Sequence, residues 1–514
     1  MPRPVLVPHE NLAVAMAHGA YLMTGRPQAM MVHVNVGTAN TINNVINLSR
    51  DRVPLLLAAG RTPVTEKGSF GSRSRPIHWA QEMFDQAGML REIVKWDYEL
   101  RVPDQIGDIV TRAYEAAMTS PRGPVYMVLP REPLSATVAD LPAAGPRAIP
   151  ATPHPDPASI ETLADWIAAA ARPLIITGGA DGAAVAPLSR LAERGAIPVV
   201  THNARTIGVA SNHPMHFGYE PGLLLGDADL VIVVEADVPW IPSLQSPPAG
   251  ARVAHIGEDP AFLRYPMRSF PADLAITAHA ETALTALDAA LAKRIAGGDA
   301  GIAKRRAALA ERNATRRAAL AEKAKPSGDR ITPEYLSHAI GQAVGEDAII
   351  FNEYPLQLDY CARTKPGTFF GLSPAGGLGW GLGAALGAKL AAPERLVVAT
   401  IGDGAYLFTN PTVCHWVSST HRLPVLTVVF NNSRYGAVRK ATLSMFKDSA
   451  AGEQDGRFFA DLDPSPAYDE LVRIQGGHGE RVERPDDLAA ALGRARDVVV
   501  NEGRQALVNV ICPY

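Results

Sequence analysis

Residues 395–436 read RLVVATIGDGAYLFTNPTVCHWVSSTHRLPVLTVVFNNSRYG, and this stretch decides the fold. Its two apolar, β-branched runs, Leu396–Ile401 and Pro424–Phe430, are typical of buried parallel strands. The first run ends in Gly402-Asp403-Gly404, and the second ends in Asn431-Asn432. The chain between them is long enough for one crossover helix with its loops. The pattern therefore predicts two neighbouring strands of a parallel sheet.

If these strands are neighbours, Asp403 and the asparagine pair emerge together at the carboxyl edge of the sheet, where ligands of open α/β sheets bind. A carboxylate and an amide oxygen suit a Mg2+ ion that also binds a diphosphate. Glycines at 402 and 404 let the backbone approach phosphates, and the following helix offers free N–H groups. The alternative is a plain βαβ unit with a glycine turn and an asparagine turn.

Composition limits the class of protein. The chain has 514 residues, of which 47% are hydrophobic, which is enough for two to four packed domains. The net charge of −3 argues against a polyanion, such as nucleic acid, as the main partner. Cys361, Cys414 and Cys512 are far apart and favour a reducing compartment. The N-terminus lacks a leader pattern, and no run is long enough to span a membrane, so we expect a soluble cytoplasmic enzyme.

Alternating strand and helix patterns predict three α/β domains, each with a doubly wound parallel sheet, at residues 1–140, 158–290 and 331–514. The Pro-rich stretch 141–157 predicts a linker. Residues 291–330, rich in Ala, Arg, Lys and Glu, predict a solvated linker helix rather than a basic nucleic-acid helix.

Two local patterns carry further expectations. Val5–Val7 predicts a short first strand. Gly178–Gly182 follows a strand of the central domain, but its spacing departs from that of a dinucleotide loop and no acidic residue ends the next strand. We therefore favour a Rossmann-like spacer over an NAD-binding domain.

The Gly-Asp-Gly and Asn-Asn pair resembles the cofactor motif of thiamine-diphosphate (ThDP) enzymes, and the segment is similar to benzoylformate decarboxylase and to the acetolactate synthase large subunit. The resemblance spans nearly the whole chain. It implies pyrimidine-binding, central and diphosphate-binding domains, with ThDP and Mg2+ as cofactors. The implied metal ligands are Asp403, Asn432 and the backbone carbonyl of Arg434. The implied cofactor-binding residues are Gly376, Gly377, Leu378, Gly402, Asp403, Gly404, Ala405, Asn432, Tyr435 and Gly436.

Residues 5–27, VLVPHENLAVAMAHGAYLMTGRP, resemble the family segment that carries the catalytic glutamate. The match falls on Glu10, which by this resemblance hydrogen-bonds the aminopyrimidine ring and shifts it toward the tautomer that removes a proton. Without the family, Glu10 is a carboxylate in the first turn of a helix, where it is favoured anyway. The strand and helix that family members carry before this segment are missing here. This suggests a further hypothesis, a ThDP-binding protein that is catalytically inert or regulatory.

Two more residues are catalytic candidates by resemblance. In MVHVNVGTANTINN (31–44), His33 matches the decarboxylase histidine that relays protons beside the reacting carbon, a residue that acetolactate synthases lack. Gln81-Glu82 with Phe84 resembles a pocket segment of acetolactate synthases and makes Gln81 a candidate. The alternative for both is an ordinary structural role.

The substrate pocket matches neither relative fully. In the loop that carries a second histidine in benzoylformate decarboxylase, this chain has Trp240, which either lines an apolar pocket wall or simply packs. Val438 belongs to a Tyr-Gly-Ala-Val-Arg stretch similar to the decarboxylase. Ala441 stands where that enzyme packs a phenylalanine against its substrate.

We therefore expect ThDP- and Mg2+-dependent, non-oxidative decarboxylation of a small 2-oxo acid, with or without carboligation. The alternative is an acetolactate synthase-like carboligase. The resemblance implies a homodimer or homotetramer with active sites at the subunit interface. It leaves open whether FAD binds in the central domain, and nothing in the sequence supports it.

Overall fold

The computed structural model describes residues 3–138, 148–179, 181–295, 299–449 and 460–512, except the side chain of Leu223. The strands are β1 (Gln28–Val32), β2 (Leu55–Arg61), β3 (Asp97–Glu99), β4 (Val125–Pro130), β5 (Pro173–Thr177), β6 (Val199–Thr201), β7 (Leu230–Val234), β8 (Arg252–Gly257), β9 (Leu274–Thr277), β10 (Ile349–Glu353), β11 (Phe369–Gly371), β12 (Val397–Gly402), β13 (Leu426–Asn431), β14 (His478–Val482) and β15 (Ala506–Ile511).

The helices are α1 (Glu10–Thr24), α2 (Val34–Arg50), α3 (Ile77–Ala80), α4 (Ile106–Met118), α5 (Arg131–Ser135), α6 (Pro157–Ala169), α7 (Gly182–Gly195), α8 (Gly222–Asp227), α9 (Ala280–Ala292), α10 (Ala300–Lys323), α11 (Pro333–Val344), α12 (Gly381–Ala391), α13 (Asp403–Phe408), α14 (Pro411–His421), α15 (Gly436–Met445), α16 (Tyr468–Ile474) and α17 (Pro485–Asn501). Two short 3-10 helices lie at Ala87–Met89 and Pro103–Gln105.

The strands form three sheets. Their orders are β1-β2-β4-β3, β6-β5-β7-β8-β9 and β11-β10-β12-β13-β15-β14. Every strand pair whose register is described is parallel. Each sheet lies within one of the three predicted domains, and helices follow the strands. The predicted class, three parallel-sheet α/β domains, is confirmed.

The chain forms two compact units. The first comprises Met1–Pro150, Ile350–Pro355 and Leu372–Tyr514, and the second comprises Ala151–Ile349 and Leu356–Gly371. The units divide the chain differently from the three predicted domains, so the predicted boundaries stay predictions.

The predicted linker at 141–157 is described only in part. Residues 141–147 lie outside the described residues, and 148–156 form no helix or strand. Asp156 then begins α6, because its carboxylate accepts a hydrogen bond from the Ser159 N–H at 2.9 Å.

In the first unit, helices α1 and α12 pack backbone to backbone. A Cβ built on Gly19 would lie 1.8 Å from the Ala384 carbonyl oxygen, and one on Gly387 would lie 1.9 Å from that of Met16. Beside this contact, Trp380 Nε1 donates to His18 Nδ1 at 2.9 Å. Burial lowers the pKa of His18 to about 3, so the ring stays a neutral acceptor. The packing fixes α1, which begins at Glu10, against the helix that follows the Gly376–Gly379 loop.

In the second unit, α10 corrects the prediction of a simply solvated helix. Most of its residues are exposed, but Asn313 is buried and donates to the carbonyls of Pro214 at 2.9 Å and His216 at 3.1 Å. Arg305 Nη1 donates to the Ala170 carbonyl at 2.7 Å. Polar and cationic side chains of α10 thus bind carbonyl oxygens elsewhere in the second unit, a role that composition alone does not reveal.

Two local expectations were wrong. Residues 5–7 form no strand in the described part of the chain; Leu6 is 71% exposed, and its carbonyl accepts from His421 Nε2 at 2.8 Å. Between β12 and β13 the chain forms two helices rather than one. Asn410 adopts the left-handed conformation, with φ +57°, and Pro411 starts a new helix, so α13 cannot continue into α14.

Candidate active site

The deciding stretch places its polar residues at one sheet edge. β12 and β13 are parallel neighbours, with Gly402 opposite Phe430. Asp403 follows β12 directly as the first residue of α13, and Asn431 ends β13. The carboxylate and the asparagine turn therefore emerge side by side.

Asp403 is buried but only half satisfied. Its Oδ1 accepts from the Gly404 N–H at 2.9 Å, while its buried Oδ2 has no hydrogen-bond partner in the described part of the chain. Burial raises the pKa of Asp403, although the backbone N–H groups of Gly404, Ser433 and Arg434 oppose this shift. A buried carboxylate oxygen without a donor is costly, and a bound cation would remove that cost.

The two asparagines after β13 have different roles. Asn431 is fully buried and builds the turn: its Nδ2 donates to Asn509 Oδ1 at 3.0 Å, and its Oδ1 accepts from the Ser433 N–H at 3.0 Å. Asn432 is half-buried, and its Oδ1 accepts from the Arg434 N–H at 3.0 Å. Of the pair, Asn432 is therefore the less buried residue, and its role as a metal ligand stays a prediction.

The two glycines of the motif also differ. A Cβ on Gly404 would lie 2.6 Å from the Tyr435 ring, so this glycine is required by the protein itself. A Cβ on Gly402 would meet nothing within 4 Å among the described residues other than its chain neighbours, so there is open space at this position. Ala405 is buried within α13, and Gly436 begins α15.

The loop Gly376–Gly379 is held by α2. Gly376 and Gly379 have φ values of +68° and +84°, which only glycine adopts readily. The amide of Asn47 pairs with both backbone groups of Gly377: Nδ2 donates to the carbonyl at 2.8 Å, and Oδ1 accepts from the N–H at 3.0 Å. Asn43 Nδ2 donates to the Leu378 carbonyl at 2.7 Å.

Glu353 holds the same loop from the other side. The fully buried carboxylate accepts from the N–H groups of Gly379 at 2.7 Å and Gly381 at 2.6 Å. Burial raises the pKa of Glu353 to about 7, although these N–H groups oppose the shift. In the described part of the chain, the carbonyl of Gly376 and the N–H of Leu378 take part in no hydrogen bond. One acceptor and one donor of the loop thus remain for a ligand.

Glu10 is the first residue of α1, and His33 directly precedes α2. Glu10 Oε2 accepts from Asn40 Nδ2 at 3.1 Å, and a Cβ on Gly37 would lie 3.3 Å from Glu10 Oε1. His33 is exposed and connects β1 to α2. The next residue, Val34, is buried with φ +40°, a strained conformation for a β-branched side chain. The chain therefore turns sharply where it presents His33.

Gln81 follows the short helix α3 and is partly exposed. Its neighbour Glu82 anchors the segment, because it accepts from Arg61 Nη2 at 2.8 Å and from Thr62 Oγ1 at 2.6 Å and also binds Arg73. Burial alone would raise the pKa of Glu82, but these partners lower it below its ordinary value. The sequence motif thus combines an anchored glutamate with a partly exposed glutamine.

The three predicted pocket residues lie in different surroundings. Trp240 is buried in the second unit and packs edge-on against Phe270, with ring centroids 5.2 Å apart, which favours the packing role over the pocket role. Val438 and Ala441 are exposed on α15, a helix of the first unit in which no residue is buried.

Sequence reasoning did not assign the asparagines of α2 or Glu353 to the Gly376–Gly379 loop. A signal was present: Asn40, Asn43, Asn44 and Asn47 follow helical spacing, although asparagine is a poor helix former. Glu353 carried no comparable pattern. Its role depends on backbone N–H groups that are distant in sequence.

Two features are absent from the described residues. No group of three or more His, Cys, Asp and Glu side chains is arranged to hold a metal. A cation at Asp403 would therefore depend on amide and carbonyl oxygens as well. No described helix is both long and apolar enough to cross a membrane.

Three family models match separate parts of the chain. The N-terminal thiamine pyrophosphate (TPP, or ThDP) binding domain matches residues 2–89, the central domain of TPP enzymes matches 160–287, and the C-terminal TPP binding domain matches 356–510. The chain belongs to the thiamine pyrophosphate enzymes.

Individual relatives have two kinds of name. The chain is 28% identical over 513 residues to a probable acetolactate synthase of Mycobacterium bovis, covering 98% of this chain and 87% of the relative. It is 28% identical over 465 residues to a benzoylformate decarboxylase of Pseudomonas aeruginosa, covering 85% and 80%. The fold matches that of a ThDP-dependent 4-hydroxybenzoylformate decarboxylase of Rhodococcus jostii, with a TM-score of 0.78 and 22% identity over 99% of this chain and 92% of that one.

Proposed function

We propose that this protein catalyses the ThDP- and Mg2+-dependent, non-oxidative decarboxylation of a small 2-oxo acid. The observation that carries the proposal is the unpaired, buried Oδ2 of Asp403, beside Asn432 and the open space at Gly402. This arrangement fits a hard cation that is held by oxygen ligands and binds a diphosphate. The proposed metal ligands are Asp403, Asn432 and the backbone carbonyl of Arg434.

The cofactor's ring would lie at the Gly376–Gly379 loop. The free carbonyl of Gly376 and the free N–H of Leu378 supply an acceptor and a donor to a ring of the aminopyrimidine kind. When bound, ThDP supplies a nucleophilic carbon and an electron sink that allows the carboxylate of a 2-oxo acid to leave as CO2. The chain's own groups then serve binding and proton transfer: Glu10 holds a proton at the ring, and His33 moves one at the substrate.

His33 favours the decarboxylase over the carboligase, because a histidine beside the reacting carbon can protonate the product. The alternative, an acetolactate synthase-like carboligase, is supported by the partly exposed Gln81 and by the relative of that name. The two activities differ in the step after CO2 leaves. In the decarboxylase the remaining carbon is protonated and an aldehyde is released, whereas in the carboligase it forms a bond to a second carbonyl compound.

The proposal includes a homo-oligomer, a dimer or a tetramer. α15 has no buried residue, and it exposes 59% of Val438 and 76% of Met445. These exposed apolar side chains lie on a helix that follows the proposed metal ligand Asn432 in the chain. They support an interface in which a second copy of the chain covers α15. We also retain the cytoplasm as the proposed location, in keeping with three buried, free cysteines.

FAD is not part of the proposal. At the carboxyl ends of β5 and β7, Arg205 binds the Glu235 carbonyl at 3.0 Å and lies 3.4 Å from the Asp237 carboxylate. Tyr265 donates to the same carboxylate at 2.7 Å. These side chains satisfy one another in the crevice where a dinucleotide would bind in such a sheet.

A screen of 2-oxo acids against the purified protein with ThDP and Mg2+ tests the function. CO2, aldehyde and acetolactate are measured separately. We expect CO2 and aldehyde in equal amounts, and a loss of about 100-fold or more in kcat for Glu10→Gln with ThDP still bound. Glu281→Gln, in the first turn of α9, is the matched control and should not change the rate.

The possible outcomes separate the hypotheses. Acetolactate as the main product from pyruvate would contradict the decarboxylase hypothesis and favour the carboligase. ThDP binding without turnover of any 2-oxo acid, and no difference between Glu10→Gln and the wild type, would favour the inert or regulatory alternative.

A further inference from the structure

We propose that the asparagine face of α2, which consists of Asn40, Asn43 and Asn47, positions two separate parts of the ThDP site. One end of the face orients the Glu10 carboxylate, and the other end sets the backbone of the Gly376–Gly379 loop. The inference rests on the proposed function, because it assigns these residues to the binding and the activation of ThDP.

The spacing puts the three side chains on one side of the helix. Positions i, i+3 and i+7 follow the helical repeat, so Asn40, Asn43 and Asn47 line one stripe of α2. Asparagine costs stability inside a helix because its amide competes with the backbone for hydrogen bonds. A stripe of this composition needs compensation from partners outside the helix, and the structure provides it.

At the N-terminal end of the stripe, Asn40 contacts the catalytic candidate. Its Nδ2 donates to Glu10 Oε2 at 3.1 Å. The other oxygen of the same carboxylate lies 3.3 Å from the position of a Cβ on Gly37, one turn earlier in α2. The helix thus limits Glu10 on two sides and leaves little freedom to the carboxylate.

At the C-terminal end, Asn47 is fully buried and pairs with both backbone groups of Gly377. Asn43 adds a bond to the Leu378 carbonyl at 2.7 Å. A Cβ on Gly377 would lie 2.7 Å from the Asn43 carbonyl oxygen, so the loop touches the helix directly. Glu353 fixes the far side of the loop, and the loop conformation is therefore set before any ligand binds.

These contacts predict a division of labour that general packing would not produce. Asn47 should control how well the cofactor binds, because it shapes the loop. Asn40 should control proton transfer after binding, because it orients Glu10. If the stripe served stability alone, its two ends would affect both properties to the same extent.

Asn40→Ala and Asn47→Ala separate the two effects in the full-length protein with Mg2+. ThDP affinity is measured by calorimetry, exchange of the C2 proton of bound ThDP by NMR after acid quenching, and the melting temperature without cofactor by fluorimetry. We expect Asn47→Ala to weaken ThDP binding about 10-fold, and exchange per bound cofactor to stay within about 3-fold. We expect Asn40→Ala to bind ThDP within about 3-fold of the wild type and to exchange about 10-fold more slowly. Asn501→Ala, at the exposed end of α17, is the control and should change neither.

Three results would overturn the proposal. Binding and exchange that fall together in both variants, in proportion to melting temperature, would reduce the stripe to a structural role. No change in either variant would remove it altogether. In both cases a wild type that binds ThDP and exchanges its proton leaves the proposed function intact, whereas a wild type that does not bind ThDP overturns both proposals.

Discussion

Two glycine-containing loops of the first unit are built in opposite ways. The proposed metal loop, Gly402–Gly404 with Asn432, leaves a buried carboxylate oxygen of Asp403 without a donor and open space at the Cβ position of Gly402. The loop Gly376–Gly379 is instead held by protein groups: Asn47 takes both backbone groups of Gly377, and Glu353 takes the N–H of Gly379. The first loop has a buried carboxylate oxygen without a partner, whereas the conformation of the second loop is already fixed by protein groups.

The difference has a physical consequence for stability and function. A buried carboxylate oxygen without a donor lowers the stability of the cofactor-free protein. Residues of the first loop should therefore favour cofactor binding at the expense of stability. A loop that protein groups hold in place keeps its shape at no cost to the ligand, so its residues should support stability and binding together. Substitutions in the two loops should therefore differ in the sign of their effect on the cofactor-free protein.

Asp403→Asn should have the largest effect on function. It removes the carboxylate of the proposed metal ligand, and we expect cofactor-dependent activity to fall by about 100-fold or more, because even residues that only support ligands contribute 10- to 100-fold. The melting temperature of the cofactor-free protein should rise at pH 8. Burial raises the pKa of Asp403, so the ionised carboxylate disfavours folding above its ordinary pKa of 3.8, and the neutral amide does not. Activity and thermal melting at pH 8 measure the two effects.

Asp237→Asn is the matched control for that result. This buried carboxylate in the second unit is paired with Arg205 and Tyr265. Burial alone would raise the pKa of Asp237, but these partners hold it below its ordinary value, so the same substitution should lower the melting temperature at pH 8. If Asp403→Asn destabilised the cofactor-free protein as Asp237→Asn does, the Asp403 carboxylate would not lower the stability of the cofactor-free protein, and the contrast between the two loops would be wrong.

Gly377→Ala tests the other loop. The new Cβ would lie 2.7 Å from the Asn43 carbonyl oxygen and 2.8 Å from Asn47 Nδ2, so the loop or α2 must move. We expect a loss of about 1–3 kcal/mol in unfolding free energy, as for other overpacked sites, together with weaker ThDP binding. Denaturant melting of the cofactor-free protein and calorimetry with ThDP measure these losses.

Gly493→Ala, inside α17, controls for the change from glycine to alanine. A Cβ at this position meets nothing within 4 Å, so the substitution should stabilise the protein by about 0.5–1 kcal/mol. A Gly377→Ala protein as stable as the wild type would show that α2 does not hold the loop tightly.

The same contrast explains what the sequence could predict. The two strands around Asp403, and the emergence of Asp403 and Asn432 at one edge, followed from short apolar runs and turn residues that are close in sequence. Ligand-facing residues of this kind occur in recognisable patterns, because the ligand dictates their chemistry. The three parallel sheets were predictable for a similar reason: periodicity is a local property.

The residues that hold protein backbone were much harder to predict. Asn47 and Glu353 act on glycines from separate parts of the chain, and only the folded structure brings these groups together. The arginines of α10 present the same difficulty, since Arg305 binds carbonyl groups that any sequence would offer. Almost any residue can supply a backbone N–H or carbonyl group. The sequence therefore does not show which backbone groups a side chain such as Asn47 or Glu353 will bind.

Glu353→Gln should have the smallest effect at neutral pH, because two consequences oppose each other there. The amide accepts fewer N–H groups of Gly379 and Gly381 than the carboxylate does, which costs about 1–3 kcal/mol, but it also removes a buried charge. The pH dependence separates them. Burial raises the pKa of Glu353 from 4.5 to about 7, so the folded protein keeps a proton in this range that the unfolded chain has lost. Wild-type stability should therefore decrease as pH rises from 4.5 to 7, and the variant should lack this part of the decrease.

Denaturant melting of both proteins at intervals between pH 4.5 and 8 measures the difference, which should move in favour of Glu353→Gln by at most about 1.4 kcal/mol for each pH unit and level off above pH 7. Glu470→Gln, at the exposed start of α16, should follow the wild type throughout. A difference that moves in favour of the wild type with rising pH would mean that the N–H groups of the loop outweigh burial. In that case Glu353 would hold the Gly376–Gly379 loop most strongly as an anion.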